Sequence, residues 1–222
     1  MNQPRTAARP LLLGHRGARA QKAIPENTLA SFDQALADGC DGFEFDVRLA
    51  LDGKAVVCHE PQVGAIEISQ ASIEQLAALP QLQQVLARYQ QCAFLDIELK
   101  VSGLEKITAA LLQEYAPVRG FVVSSFLPEV LKAINAENAG IPLGLICETK
   151  AQLCPWSRLP VEYVIPHYKL VDQSLIRQFK DGSKKMFVWT VNSSAVMQRF
   201  ANYGVDGIIS DNTSLLCRTL PG

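Results

Sequence analysis

Short apolar runs rich in Val, Ile, Leu and Phe alternate along this chain with longer segments of helical spacing. Eight of the runs predict strands: Leu11–His15, Phe43–Val47, Phe94–Leu99, Phe121–Ser125, Leu143–Cys147, Tyr163–Ile165, Phe187–Val191 and Gly207–Ser210. Between them, Thr28 to Ala37 puts Leu29, Phe32 and Leu36 on one helical face, and Ser194 to Asn202 runs into Gly204, a suitable helix stop. Leu51-Asp52-Gly53 is a turn signal before an extended Ala55–His59, so a short hairpin is expected after the second strand.

Strands separated by helices point to an α/β protein with a parallel sheet. Eight units in 222 residues leave about 28 residues each, compact for a closed (β/α)8 TIM barrel of roughly 250 residues. A doubly wound open sheet is the competing architecture. Neither GxGxxG nor GxxxxGK[ST] opens a helix, which removes the usual nucleotide-binding reasons for that alternative. With no Ser/Gly-rich linker, a single domain over 1–222 is expected, with a core of about 11–216.

A composition of 48% hydrophobic and 19% charged residues excludes disorder, and a net charge of -1 gives no basis for broad nucleic-acid or anionic-membrane binding. No apolar stretch approaches the roughly 18 residues of a membrane span, and Leu11–Leu13 is too short for a leader core, so a cytoplasmic protein is expected. Six cysteines without CxxC spacing read as buried, reduced thiols.

Chemistry in a parallel barrel collects where strands end, and there the polar residues are unusual. The first run ends in Gly14-His15-Arg16-Gly17, the second carries Glu44 and Asp46, the hairpin ends at His59-Glu60, and the third run carries Glu98 and Lys100. All three histidines, His15, His59 and His167, fall at or just after a strand end. Side chains alternate along a strand, so Glu44 and Asp46 share one face while Phe43, Phe45 and Val47 share the other. The same rule turns Leu95, Ile97 and Leu99 towards the helices and Asp96, Glu98 and Lys100 inward. Buried carboxylates need pairing or a metal, and all-oxygen ligation by Glu44, Asp46 and Glu98 suits Mg2+ or Ca2+ rather than zinc. These carboxylates outnumber Arg16 and Lys100, so the mouth repels an anion until one divalent ion reverses the balance.

Gly14-His15-Arg16-Gly17, Pro25-Glu26-Asn27-Thr28, Glu44-Phe45-Asp46-Val47, Asp52-Gly53 and Val56-Val57-Cys58-His59 resemble, in order and spacing, the N-terminal signature of the glycerophosphodiester phosphodiesterase family. Ile97-Glu98-Leu99-Lys100, Ser124-Ser125-Phe126, Trp189-Thr190-Val191-Asn192 and Ile209-Ser210-Asp211 resemble its later strand ends, so the likeness runs from about Leu11 to Leu216. The resemblance implies a (β/α)8 barrel and metal-dependent hydrolysis of glycerophosphodiesters such as glycerophosphocholine and glycerophosphoethanolamine. It also implies His15 and His59 as the catalytic pair and Glu44, Asp46 and Glu98 as ligands of one divalent cation. Arg16 and Lys100 would meet the phosphoryl oxygens, Glu26 the metal shell or the glycerol hydroxyls, and Trp189 the glycerol. Asn27 has a site role or, with Thr28, caps the first helix; His167 shapes a loop. Attack by water, by a substrate hydroxyl or by histidine stays open.

The chain departs from the pattern in a shortened stretch between His59 and Glu98, in Glu60 where aspartate is common, and in Asp211-Asn212-Thr213 where proline usually follows. The last two are expected to leave the chemistry untouched, whereas the reduced insertion leaves the alcohol open. A lysophospholipase D or sphingomyelinase D-like activity on lipids is the nearest alternative. A catalytically silent phosphate-binding module is the other, but it should have lost one of the five central residues, and all are present. The expected partner is a small-molecule substrate, with no nucleic acid or stable membrane association.

Overall fold

In an all-parallel barrel the helices cover one face of every strand and the opposite strands cover the other, so each strand must be apolar outward and selective inward. The computed structural model, which describes residues 9–221, meets this requirement. Its elements begin β1 (Leu11–His15), α1 (Leu29–Ala37), β2 (Gly42–Leu49), β3 (Ala55–Val57), β4 (Gln62–Val63), β5 (Ile66–Glu67), α2 (Leu82–Tyr89), β6 (Phe94–Leu99) and α3 (Glu105–Glu114). They continue with β7 (Phe121–Ser125), α4 (Pro128–Glu137), β8 (Leu143–Cys147), α5 (Lys150–Leu153), β9 (Tyr163–Pro166) and α6 (Gln173–Asp181). The last are β10 (Lys185–Val188), α7 (Ser194–Tyr203), β11 (Gly207–Ser210) and α8 (Thr213–Thr219). Strands β1, β2, β6, β7, β8, β9, β10 and β11 pair in parallel, and β1 meets both β2 and β11, which closes the barrel. The open sheet is thereby excluded.

Phe43, Phe45 and Val47 of β2 and Leu95, Ile97 and Leu99 of β6 face the helical layer, as the alternation requires. Phe32 of α1 stacks on Phe43 with ring centroids 4.2 Å apart, and Tyr89 of α2 meets the same ring edge-on at 4.9 Å. Burial of each such ring is worth about 2–3 kcal/mol, so β2 is firmly seated. Inside the barrel, Leu13, Phe94, Tyr163 and Phe187 belong to a second apolar cluster. Phe187 lies 5.7 Å from Phe94 and 5.0 Å from Tyr163. Gly207 makes room for it, because a Cβ there would come within 2.4 Å of the Phe187 ring.

The expected hairpin is present: β3 runs antiparallel to the end of β2, pairing Val47 with Val57 and Leu49 with Ala55. Beyond it, β4 and β5 form a small separate ribbon, and Ala50, Val56, Ile68, Ala71 and Leu76 give this shortened insertion its own apolar cluster.

Three expectations need correction. The strand expected to reach Val191 stops at Val188, because the Trp189 N–H bonds to Pro166 O on one side while the Val191 N–H bonds to Ile209 O on the other. Helix α1 starts at Leu29, because Thr28 is its cap and its hydroxyl accepts the Ser31 N–H at 3.2 Å. The cysteines are all free thiols, but only Cys40 and Cys147 are buried, while Cys92 and Cys154 are exposed. Among the described residues no helix is long and apolar enough to cross a membrane.

Candidate active site

Parallel register lines up the inward-facing residues of neighbouring strands, whose axes are about 4.8 Å apart. His15 of β1 stands beside Glu44 of β2, Glu44 beside Asp96 of β6, and Asp46 beside Glu98. One carboxylate oxygen from each of Glu44, Asp46 and Glu98 lies within 4.8 Å of the other two, and all three residues are buried. The cations stand where the carboxylates need them. Lys100 Nζ is 2.6 Å from Glu98 Oε1 and 3.3 Å from Asp46 Oδ1, and Arg16 Nε is 3.2 Å from Asp46 Oδ2.

These cations do not satisfy the cluster. Burial, and then the charges of Asp46 and Glu98, push the Glu44 carboxyl well above the usual range, and its Oε1 has no hydrogen-bond partner. Burial and then Asp46 push Glu98 up to about 7, although Lys100 opposes the shift. Burial also acts to raise Asp46, but Lys100, Arg16 and the Asn27 amide outweigh it and hold this carboxyl low. Asp96 is raised to about 7, chiefly by burial; Ser124 donates to its Oδ1, and its Oδ2 is unpartnered. Three crowded carboxylates, one with an orphaned oxygen and none accompanied by thiol ligands, fit a hard divalent cation.

The two histidines are held differently. His15 is buried, and its Nδ1 is 2.7 Å from Asp211 Oδ1, which leaves Nε2 3.8 Å from Glu44 Oε2. Burial lowers its pKa despite the Asp211 hydrogen bond. Asp211 stays well below the usual carboxylate range: burial opposes its charge, but His15, the Asn192 amide and Arg19 prevail. His59 sits beyond β3 on a loop with 29% of its side chain exposed, and its Nδ1 is 2.7 Å from Glu60 Oε1. The carboxylate at position 60 therefore touches His59 directly.

The loop after β1 is drawn together around these groups. Arg16 adopts a left-handed backbone at φ 53°, which aims its N–H at Glu44 Oε2, 3.0 Å away. Asn27, also left-handed, donates from its amide to Asp46 Oδ2 at 2.8 Å, and its N–H bonds to Arg16 O. Asn27 thus buttresses Asp46 and leaves the capping of α1 to Thr28. Glu26 is engaged by Arg16 Nη1 at 2.7 Å and Arg19 Nε at 2.6 Å, and it does not line the central cavity.

That cavity, of about 280 Å3, brings His15, Arg16, Glu44, His59, Glu98, Lys100 and Trp189 to one mouth, while Asp46 and Asn27 stand behind its wall. Trp189 donates its Nε1–H to Ile165 O at 2.8 Å and meets Phe126 edge-on at 5.7 Å, so it presents an apolar surface to the cavity. His167 packs on Trp189 at 5.4 Å outside the lining. Phe126 and Glu148 also line the cavity without having been singled out as site residues; each directly follows a strand end, which was the available signal. Asp211 had the same signal, since it follows β11.

The barrel gathers carboxylates, histidines and cations at the carboxyl ends of its strands, and comparison with known proteins places it among the phosphoric diester hydrolases. Residues 15–215 match the glycerophosphoryl diester phosphodiesterase family, and the chain belongs to it. It is 29% identical to a glycerophosphodiester phosphodiesterase of Caldanaerobacter subterraneus subsp. tengcongensis, over 93% of this chain and 96% of that one. It is 24% identical to a glycerophosphodiester phosphodiesterase of Bacillus subtilis, over 96% and 87%. In fold it matches an Oleispira antarctica phosphodiesterase solved with the product sn-glycerol-3-phosphate, with TM-score 0.84, 24% identity and 96% and 98% coverage. A Thermotoga maritima glycerophosphodiester phosphodiesterase gives TM-score 0.83, 22% identity and 95% and 98% coverage.

Proposed function

We propose that this chain hydrolyses small glycerophosphodiesters, such as glycerophosphocholine and glycerophosphoethanolamine, to sn-glycerol 3-phosphate and the free alcohol. The observation that carries the reading is the meeting of three crowded carboxylates, two histidines and two cations in and just behind the wall of one small cavity. Glu44, Asp46 and Glu98 hold one divalent cation, Mg2+ or Ca2+, which when bound supplies positive charge to the phosphoryl oxygens. Lys100 and Arg16 add their charge at the same mouth, where charge-assisted bonds to non-bridging oxygens are strongest in the transition state.

His15 and His59 share the proton transfers. Asp211 and Glu60 accept from the Nδ1 atoms, which fixes each ring so that Nε2 is the working nitrogen. Burial keeps His15 neutral near pH 7, the form that takes a proton from the attacking oxygen. His59, nearer solvent, returns one to the departing alkoxide. Trp189 and Phe126 offer an apolar wall to the glycerol carbons. Exposed Leu51, Val63 and Ile66 lie on the β2–β3 turn and the β4–β5 ribbon, outside the cavity lining, which favours a small diester over a lipid.

The test is release of sn-glycerol 3-phosphate from both diesters, first in EDTA and then with Mg2+ or Ca2+ restored. Metal-dependent release from both is expected. A folded protein that releases nothing under any condition overturns the reading, and lysolipids are then the next substrates to try.

A further inference from the structure

Arg48 stands on β2 two residues beyond Asp46 and opposite Val56 of β3. Its Nε and Nη2 donate to the main-chain carbonyl of His59, at 2.8 Å and 2.6 Å. Two converging bonds from one planar guanidinium to one oxygen set both the distance and the direction of that carbonyl. The need for them is local. β3 ends at Val57, and His59 follows on irregular chain; among the described residues its ring is hydrogen-bonded only to Glu60, whose own side chain is 67% exposed. An exposed pair of this kind is weak and does not hold a loop by itself. Arg48 lines a surface groove together with Leu49, Pro61 and Ile68, where the barrel meets the insertion.

We infer that Arg48 is a positioning residue for His59: it fastens the loop bearing this histidine to the strand that carries Glu44 and Asp46. The inference rests on the proposed role of His59 in hydrolysis. Arg48 does not line the cavity and so has no direct hold on substrate.

The experiment compares steady-state glycerophosphocholine hydrolysis by wild type, Arg48→Met, Arg48→Lys, His59→Ala and the Arg48→Met/His59→Ala double variant, with thermal melting of each. Methionine keeps an apolar stem and removes the donors. Misplacement of a catalytic group by about 1 Å costs on the order of 100-fold, so Arg48→Met should lose 10- to 100-fold in kcat with KM within about threefold and an unaltered melting curve. Arg48→Lys, with one of its donors in reach, should recover part of the loss. In the His59→Ala background, Arg48→Met should cost nothing further, because there is no ring left to position. Full kcat in Arg48→Met beside a crippled His59→Ala overturns the inference, as does an additive loss in the double variant. Wild-type turnover in His59→Ala removes the proposed role of His59 and the positioning role with it. Should Arg48→Met fail to fold, Arg48→Gln and the lysine variant carry the same comparison.

Discussion

The two sides of the barrel lumen are built to opposite rules. Strands β1, β2 and β6 point His15, Glu44, Asp46, Asp96 and Glu98 inward, whereas β8, β9, β10 and β11 contribute Ile146, Ile165, Phe187 and Ile209. The apolar side needs only shape, and its glycines and aromatic rings supply it. The charged side carries buried like charges that the described residues do not fully offset, so it is stable only to the extent that partners reach it. Both sides share the same outward face, a continuous layer of Phe, Leu, Ile and Val under the helices. The packing that secures the fold is thus separate from the groups that burden it, and a functional site can be strained without loosening the barrel.

The largest effect is expected on the charged side. His59→Ala should fold normally and lose roughly 10²–10⁴-fold in kcat, and near-wild-type turnover would remove this histidine from the chemistry. Glu44→Gln should weaken divalent-cation affinity by roughly tenfold or more in a metal titration. The same variant in EDTA at pH 8 should melt above wild type, since it removes a buried carboxylate with an orphaned oxygen. Were both properties unchanged, Glu44 would not be a ligand.

On the apolar side the expectation inverts. Phe187→Ala should cost about 3–5 kcal/mol in urea or thermal unfolding while the protein that remains folded keeps its KM, and a catalytic loss without a stability loss would break the contrast. The subtlest effect is one of pH. Asp96 is pushed up to about 7 in the fold, against about 3.9 in an unfolded chain, so the folded state binds its proton more tightly. Between these values the folded chain carries more protons, and stability falls as pH rises, by at most about 1.4 kcal/mol per unit from this group. In EDTA, Asp96→Asn should therefore lose less stability than wild type between pH 4 and pH 7. A parallel decline in the two would assign the pH dependence elsewhere.

Much of this was legible in order along the chain. Period-2 alternation in Gly42–Leu49 and Phe94–Leu99 separates helix-facing from inward side chains before any tertiary contact is known, and it placed the three carboxylates on one lumen. The seventh unit was less clear, because Phe187–Val191 is apolar enough for a strand but its hydrogen bonds divide between two neighbours after Val188. Asp211 and Glu60 were named without a site role, for opposite reasons. Asp211 is 196 positions from His15 and meets it only because β11 closes against β1. Glu60 adjoins His59, but adjacency says nothing about whether a carboxylate bonds to its neighbour's ring.

The chain's local pattern by itself therefore determined the class of fold and the direction in which each strand residue points, since both follow from backbone geometry repeated every two residues. Only the tertiary structure decided what each group's charge and proton would do. Closure of the barrel sets which carboxylates crowd Glu44, which one anchors His15, and which cation reaches Asp46, and electrostatic energies depend on those distances and on the water excluded from between them.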